Sequence, residues 1–134
     1  MRAGTGQARA ARVAAAIVIL CAVAQSATAA ELVMFLSKGC PWCAQWEAEV
    51  GQIYPRTGEA ESYPLRRVDL ARPTPGDAAL ARTVRFTPTF VLTACGKEVG
   101  RITGYPGEAH FWGLLGEAIK RRQDGSDDGS GVRC

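Results

Sequence analysis

The chain has 134 residues, a formal net charge of +3, and 47% hydrophobic and 22% charged residues. These values fit one small globular domain and exclude a disordered chain, a fibrous repeat or a multi-span membrane protein. The charge excess is local, because Arg2, Arg9 and Arg12 precede the first acid, Glu31, and the rest of the chain is balanced; a nucleic-acid partner is therefore not indicated.

Residues 1–29 read as a secretory signal peptide. A basic, acid-free start is followed by the apolar run Val13–Val23 and the small residues Ala27-Thr28-Ala29. Cleavage near Ala29 or Ala30 would leave a mature chain outside the cytoplasm, in the periplasm. The alternative is a membrane anchor facing the same compartment. The apolar run is short for it, reaching about half of a hydrocarbon core roughly 30 Å thick. Cys21 leaves with the leader, so Cys40, Cys43, Cys95 and Cys134 remain.

The domain proper is expected over residues 31–122. Leu32–Leu36 is an uninterrupted apolar run, the mark of a strand buried on both faces. A helix is expected from Pro41 to about Tyr54, with Trp42, Trp46, Val50 and Ile53 recurring at helical spacing and Pro41 at its first position. A loop through Pro55–Gly58 and a polar stretch lead to a second strand, Leu65–Leu70, and then a short helix, Asp77–Thr83. Thr89–Thr93 is a third strand with Pro88 at its start, and Cys95-Gly96-Lys97 turns it into Glu98–Thr103. A last helix runs from Glu108 to about Arg122 with Phe111, Trp112, Leu115 and Ile119 inward. Residues 123–134 read as a disordered Gly-, Ser- and Asp-rich tail. The order βαβαββα gives an α/β fold. Its mixed four-stranded sheet has the first two strands parallel and helices on both faces.

Cys40-Pro41-Trp42-Cys43 sits between a buried strand and the start of a helix. There Cys40 would face unpaired N–H groups carrying about half a positive charge, with Lys38 nearby. Both favour thiolate; at a pKa of about 8.5 only about 3% of a cysteine is ionised at pH 7, and helix-terminal CxxC motifs reach about 7 or lower. Cys40 is thus the candidate nucleophile and Cys43 the resolving thiol. Haem attachment needs His after the second cysteine, where Ala44 stands. Zinc would have to recruit Cys95, Cys134 or His110 without a second paired motif, so no metal is expected. A permanent structural disulfide is the other reading. A cis Thr87–Pro88 bond beside the motif would expose the Thr87 backbone to a partner segment.

These residues resemble a thioredoxin-fold protein: strand, CxxC opening a helix, and Thr-Pro before a hairpin. The stretches GCPWCAQWEAEVGQIYPRT, PLRRVDL, FTPTFVL and EVGRITGYPGEAHFWGLL resemble the SoxS-type periplasmic thioredoxins of bacterial sulfur-oxidation systems. That resemblance implies a monomeric protein-disulfide reductase without a cofactor, keeping sulfur-oxidation (Sox) components active. It further implies a membrane thiol-transferring protein of the CcdA or SoxV kind as electron donor. By position, Cys40 and Cys43 would be catalytic, and Pro41, Trp42, Thr87 and Pro88 would meet the substrate. Met34 stands where thioredoxins carry a buried Asp, which leaves Glu47 as a candidate proton acceptor for Cys43. An oxidant or isomerase, and a non-catalytic thioredoxin-like binding module, are the alternatives. Cys95 and Cys134 read either as a second disulfide or as free thiols.

Overall fold

A computed structural model of the chain describes residues 30–125; the expected signal peptide and most of the expected tail lie outside them. Four strands, β1 (Ala30–Leu36), β2 (Leu65–Asp69), β3 (Thr89–Ala94) and β4 (Lys97–Thr103), form one mixed sheet in the order β2-β1-β3-β4. β1 runs parallel to β2 and antiparallel to β3, and β3 and β4 form a hairpin. The helices are α1 (Pro41–Trp46), α2 (Gly58–Ser62), α3 (Ala78–Ala81) and α4 (Glu108–Gly125).

The apolar run of β1 lies inside the sheet, and its alternation feeds two cores. Leu32 and Met34 face Trp46, Val50, Tyr54, Phe90, Phe111 and Leu115. Val33 and Phe35 face Val68, Val84 and Val91, with Leu80 and Ala81 of α3 packed against them. Period-two alternation thus explains why Leu32 to Phe35 are all fully buried although their side chains point in opposite directions. The first core is aromatic-rich: Trp46 lies 5.0 Å from Phe90 and 5.6 Å from Phe111 between ring centroids, within the range where tilted pairs attract.

Several boundaries differ from expectation. The first helix does not continue regularly to Tyr54: α1 passes into a π-helical turn, Glu47–Gly51, and Tyr54–Arg56 is a separate 3₁₀ turn. A π turn holds an extra residue and rotates the chain after it about the helix axis, so Tyr54 is fully buried while Ile53, which recurs with Trp46 and Val50 at helical spacing, is exposed. Gly51 suits that turn. A Cβ there would collide with the Glu47 carboxylate and sit 3.1 Å from the Trp46 ring. The stretch read as loop and polar linker contains α2, capped by Thr57, whose hydroxyl accepts the Ala60 N–H at 3.3 Å. Pro55 and Gly58 hid it. α3 is shorter than expected, and α4 continues to Gly125, past the expected start of the tail. Cys95 (φ 51°) and Gly96 (φ 73°) alone make the β3–β4 turn, a two-residue connection with both φ positive that matches the twist of a hairpin.

Candidate active site

β1 ends at Leu36 and the chain reverses through Gly39, whose φ of 75° is a left-handed conformation that suits glycine. This turn brings Cys40 to the N-cap of α1, in extended backbone, with Pro41 at the first helical position. Cys40 and Cys43 are joined in a disulfide with Cα atoms 5.3 Å apart. The Cys43 N–H donates to Cys40 Sγ at 3.1 Å, and the Ala44 N–H to the Cys40 carbonyl at 3.2 Å. Together α1 and the π turn align helical peptide units from Pro41 to Gly51 behind that sulfur. Cys43 is only 7% exposed, whereas Trp42 is 57% exposed and Pro41 is also at the surface. The two sulfurs are therefore unequal in access.

The Thr87–Pro88 bond is cis. Its strand, β3, pairs directly with β1, Phe35 opposite Thr89, which brings Thr87 to the same sheet end as the cysteines. Ser37 and Thr87 share a hydroxyl–hydroxyl hydrogen bond of 2.9 Å, coupling the loop before Cys40 to the proline loop. The Thr89 hydroxyl donates to the Phe86 carbonyl at 2.7 Å, and the Gly104 N–H to the Pro88 carbonyl at 2.8 Å. The backbone N–H and C=O of Thr87 make no hydrogen bond among the described residues.

Beside the disulfide runs an open groove of about 420 Å³, lined by Trp42, Phe86, Thr87 and the Thr103–Pro106 segment. Sequence reading missed Phe86 and Tyr105. Phe86 is 69% exposed, and a large apolar residue next to a Thr-Pro step was the available signal. Tyr105 is buried and its hydroxyl donates to Glu49 Oε2 at 2.5 Å; nothing in a separation of 56 residues could reveal that bond. The Tyr105 hydroxyl and then the Gln45 amide hold the Glu49 carboxyl below the usual carboxylate range. Burial, and then the Glu49 carboxylate, pushes the Tyr105 phenol up.

Met34 is fully buried beneath the site. Glu47 receives two hydrogen bonds from the Arg67 guanidinium of β2, at 2.5 and 2.7 Å. Its carboxylate is therefore engaged across the sheet edge, while its backbone N–H reaches the Cys43 and Ala44 carbonyls. His110 is exposed on α4. Cys95 is disulfide-bonded, which removes the reading of it as a free thiol.

The sequence model of the thioredoxin-like domain matches residues 21–119. The chain belongs to the thioredoxin-like family. Among solved structures, the periplasmic thioredoxin SoxS from Paracoccus pantotrophus, in its reduced form, is 44% identical over 68% of this chain and 96% of its own, with a TM-score of 0.61. A thioredoxin from Thermus thermophilus is 27% identical over 67% of this chain and 73% of its own, TM-score 0.53. A thioredoxin from Malassezia sympodialis, at 17% identity, 67% and 77% coverage and TM-score 0.56, shares the fold. No curated protein matches. This thioredoxin-like chain thus carries its CxxC disulfide at the helix start, beside a cis-proline loop. Among the described residues no helix is long and apolar enough to cross a membrane.

Proposed function

We propose that this thioredoxin-like chain is a periplasmic protein-disulfide reductase serving sulfur-oxidation components. The observation that carries the reading is the Cys40–Cys43 disulfide at the cap of α1, with Cys40 Sγ accepting the Cys43 N–H at 3.1 Å. In the dithiol form the same N–H groups face Cys40 Sγ and favour its thiolate. The thiolate attacks one sulfur of a partner's disulfide; that bond breaks, a mixed disulfide forms, and the departing partner sulfur takes a proton. Cys43 then loses its proton and attacks Cys40 Sγ, releasing the second partner thiolate and restoring the intramolecular disulfide. Two electrons pass from the dithiol to the partner, and an external dithiol must return them.

The exposed Trp42, the free backbone of Thr87 and the groove at Phe86 are the surface on which an extended partner segment rests beside Cys40. Likeness to a periplasmic thioredoxin supports the location and the sulfur-oxidation setting; a membrane thiol-transferring protein of the CcdA or SoxV kind is the electron donor in this reading. The test is the Cys40–Cys43 equilibrium with glutathione. A potential near −270 mV, on the thioredoxin scale, is the expected result, and one near −120 mV rejects the reductase direction.

A further inference from the structure

The loops at the active-site end of the sheet, residues 37–40, 70–77, 82–88 and 104–107, are uneven in charge. They hold four exposed cations, Lys38, Arg72, Arg82 and Arg85. Their single acid, Asp77, is buried and bonded to Arg66 and Thr74. α1 adds no acid in its first turn, while α4, which follows the 104–107 loop, adds Glu108. Lys38, Arg82 and Arg85 make no ion pair among the described residues, and Arg72 only a long one, 3.8 Å to Asp69. From Glu31 onward the chain carries 13 basic and 13 acidic residues, so this cationic rim is a local segregation of charge. At the same sheet end the groove leaves Phe86 and Trp42 in water, Arg85 is the neighbour of Phe86 in the chain, and Lys38 stands two residues before Cys40.

We propose that the partner segment reduced at Cys40 carries a large apolar side chain flanked by acidic residues. The apolar group enters the Trp42–Phe86–Tyr105 groove, and the carboxylates lie against Lys38, Arg82 and Arg85. Charge complementarity decides the flanks: cations without an ion pair at the sheet end that holds the groove attract carboxylates during encounter and repel basic segments. This inference rests on the reductase reading and adds a substrate class to it.

The reduced wild-type protein is offered disulfide peptides of equal length, each with Phe beside one cysteine and flanked by either aspartates or lysines. At an ionic strength of about 20 mM the acid-flanked peptide is reduced with about tenfold higher kcat/KM, and the ratio falls toward one near 0.5 M salt, where screening is nearly complete. Replacing the peptide's Phe by Ser lowers kcat/KM several-fold at both salt concentrations. The double variant Arg82→Glu/Arg85→Glu reverses the preference. Equal rates for the two charged peptides at low salt, or a preference for lysine, overturn the proposal and leave the reductase reading intact. No reduction of any peptide, or of insulin, rejects the reductase reading and this inference with it. The wild-type salt dependence decides the matter even where the double variant misfolds.

Discussion

Cys40 carries its sulfur at the helix cap, within reach of the Cys43 N–H, while Cys43 is sealed beneath Trp46 and its neighbours. The Cys40→Ser variant therefore abolishes disulfide reduction. Cys43→Ser retains the first attack and stalls, so a disulfide peptide accumulates as a mixed disulfide visible by intact-mass measurement. At Tyr105, removal of the hydroxyl frees Glu49 from the donor that contributes most to lowering its pKa. In Tyr105→Phe the Glu49 carboxyl titrates at higher pH, tracked by its side-chain NMR shift; an unchanged midpoint would mean that the bond is not formed in solution. At this scale the chemistry was legible. CxxC after an apolar strand and Pro88 before another point to the site, whereas Phe86 and Tyr105 enter it only through folding.

Among the elements, β2 is one of the two edge strands of the sheet and is pinned by Arg66, which bonds Glu31 of β1 at 2.8 Å and Asp77 ahead of α3 at 2.8 and 2.9 Å. The Arg66 guanidinium, against the opposing effect of burial, keeps the Asp77 carboxyl below its usual range. A carboxyl lowered in the folded state adds stability above its unfolded pKa of about 3.9, and that stability is lost as pH falls through the folded value. Resistance to urea should therefore weaken as pH drops below about 4. Arg66→Leu should make that acid limb shallower and cost about 1–2 kcal/mol at pH 7, the value of a buried pair reduced for the 40% exposure of Arg66. An unaltered acid limb would assign the loss to other carboxyls. The same elements show where sequence reading stopped. The β1 pattern carries its own burial, but a π turn at Glu47–Gly51 and a one-turn helix behind Pro55 leave no periodic trace, since each is decided by what it packs against.

Over the whole molecule, the aromatic core ties the site to the sheet and to α4. Phe111 touches Trp46, Phe90, Tyr105 and Trp112, with ring centroids 4.9 to 6.2 Å away. Phe111→Ala leaves a cavity among them and should destabilise by about 3–5 kcal/mol in denaturant melts. A loss below about 1 kcal/mol would mean that α4 is not part of the cooperative core. The order of elements and the mixed sheet were legible because connection rules leave few ways to place a βα unit and a hairpin together. The cationic rim was not, because its members are scattered from Lys38 to Arg85 and gather only at one end of the sheet.

The proposed chemistry turns on the state of one sulfur. The rate of iodoacetamide alkylation of Cys40 in the reduced protein, recorded against pH, measures it directly. A midpoint at or below about pH 7.5 is the result predicted for a thiolate held at a helix start, and a midpoint near 8.5, that of an ordinary cysteine, would contradict it.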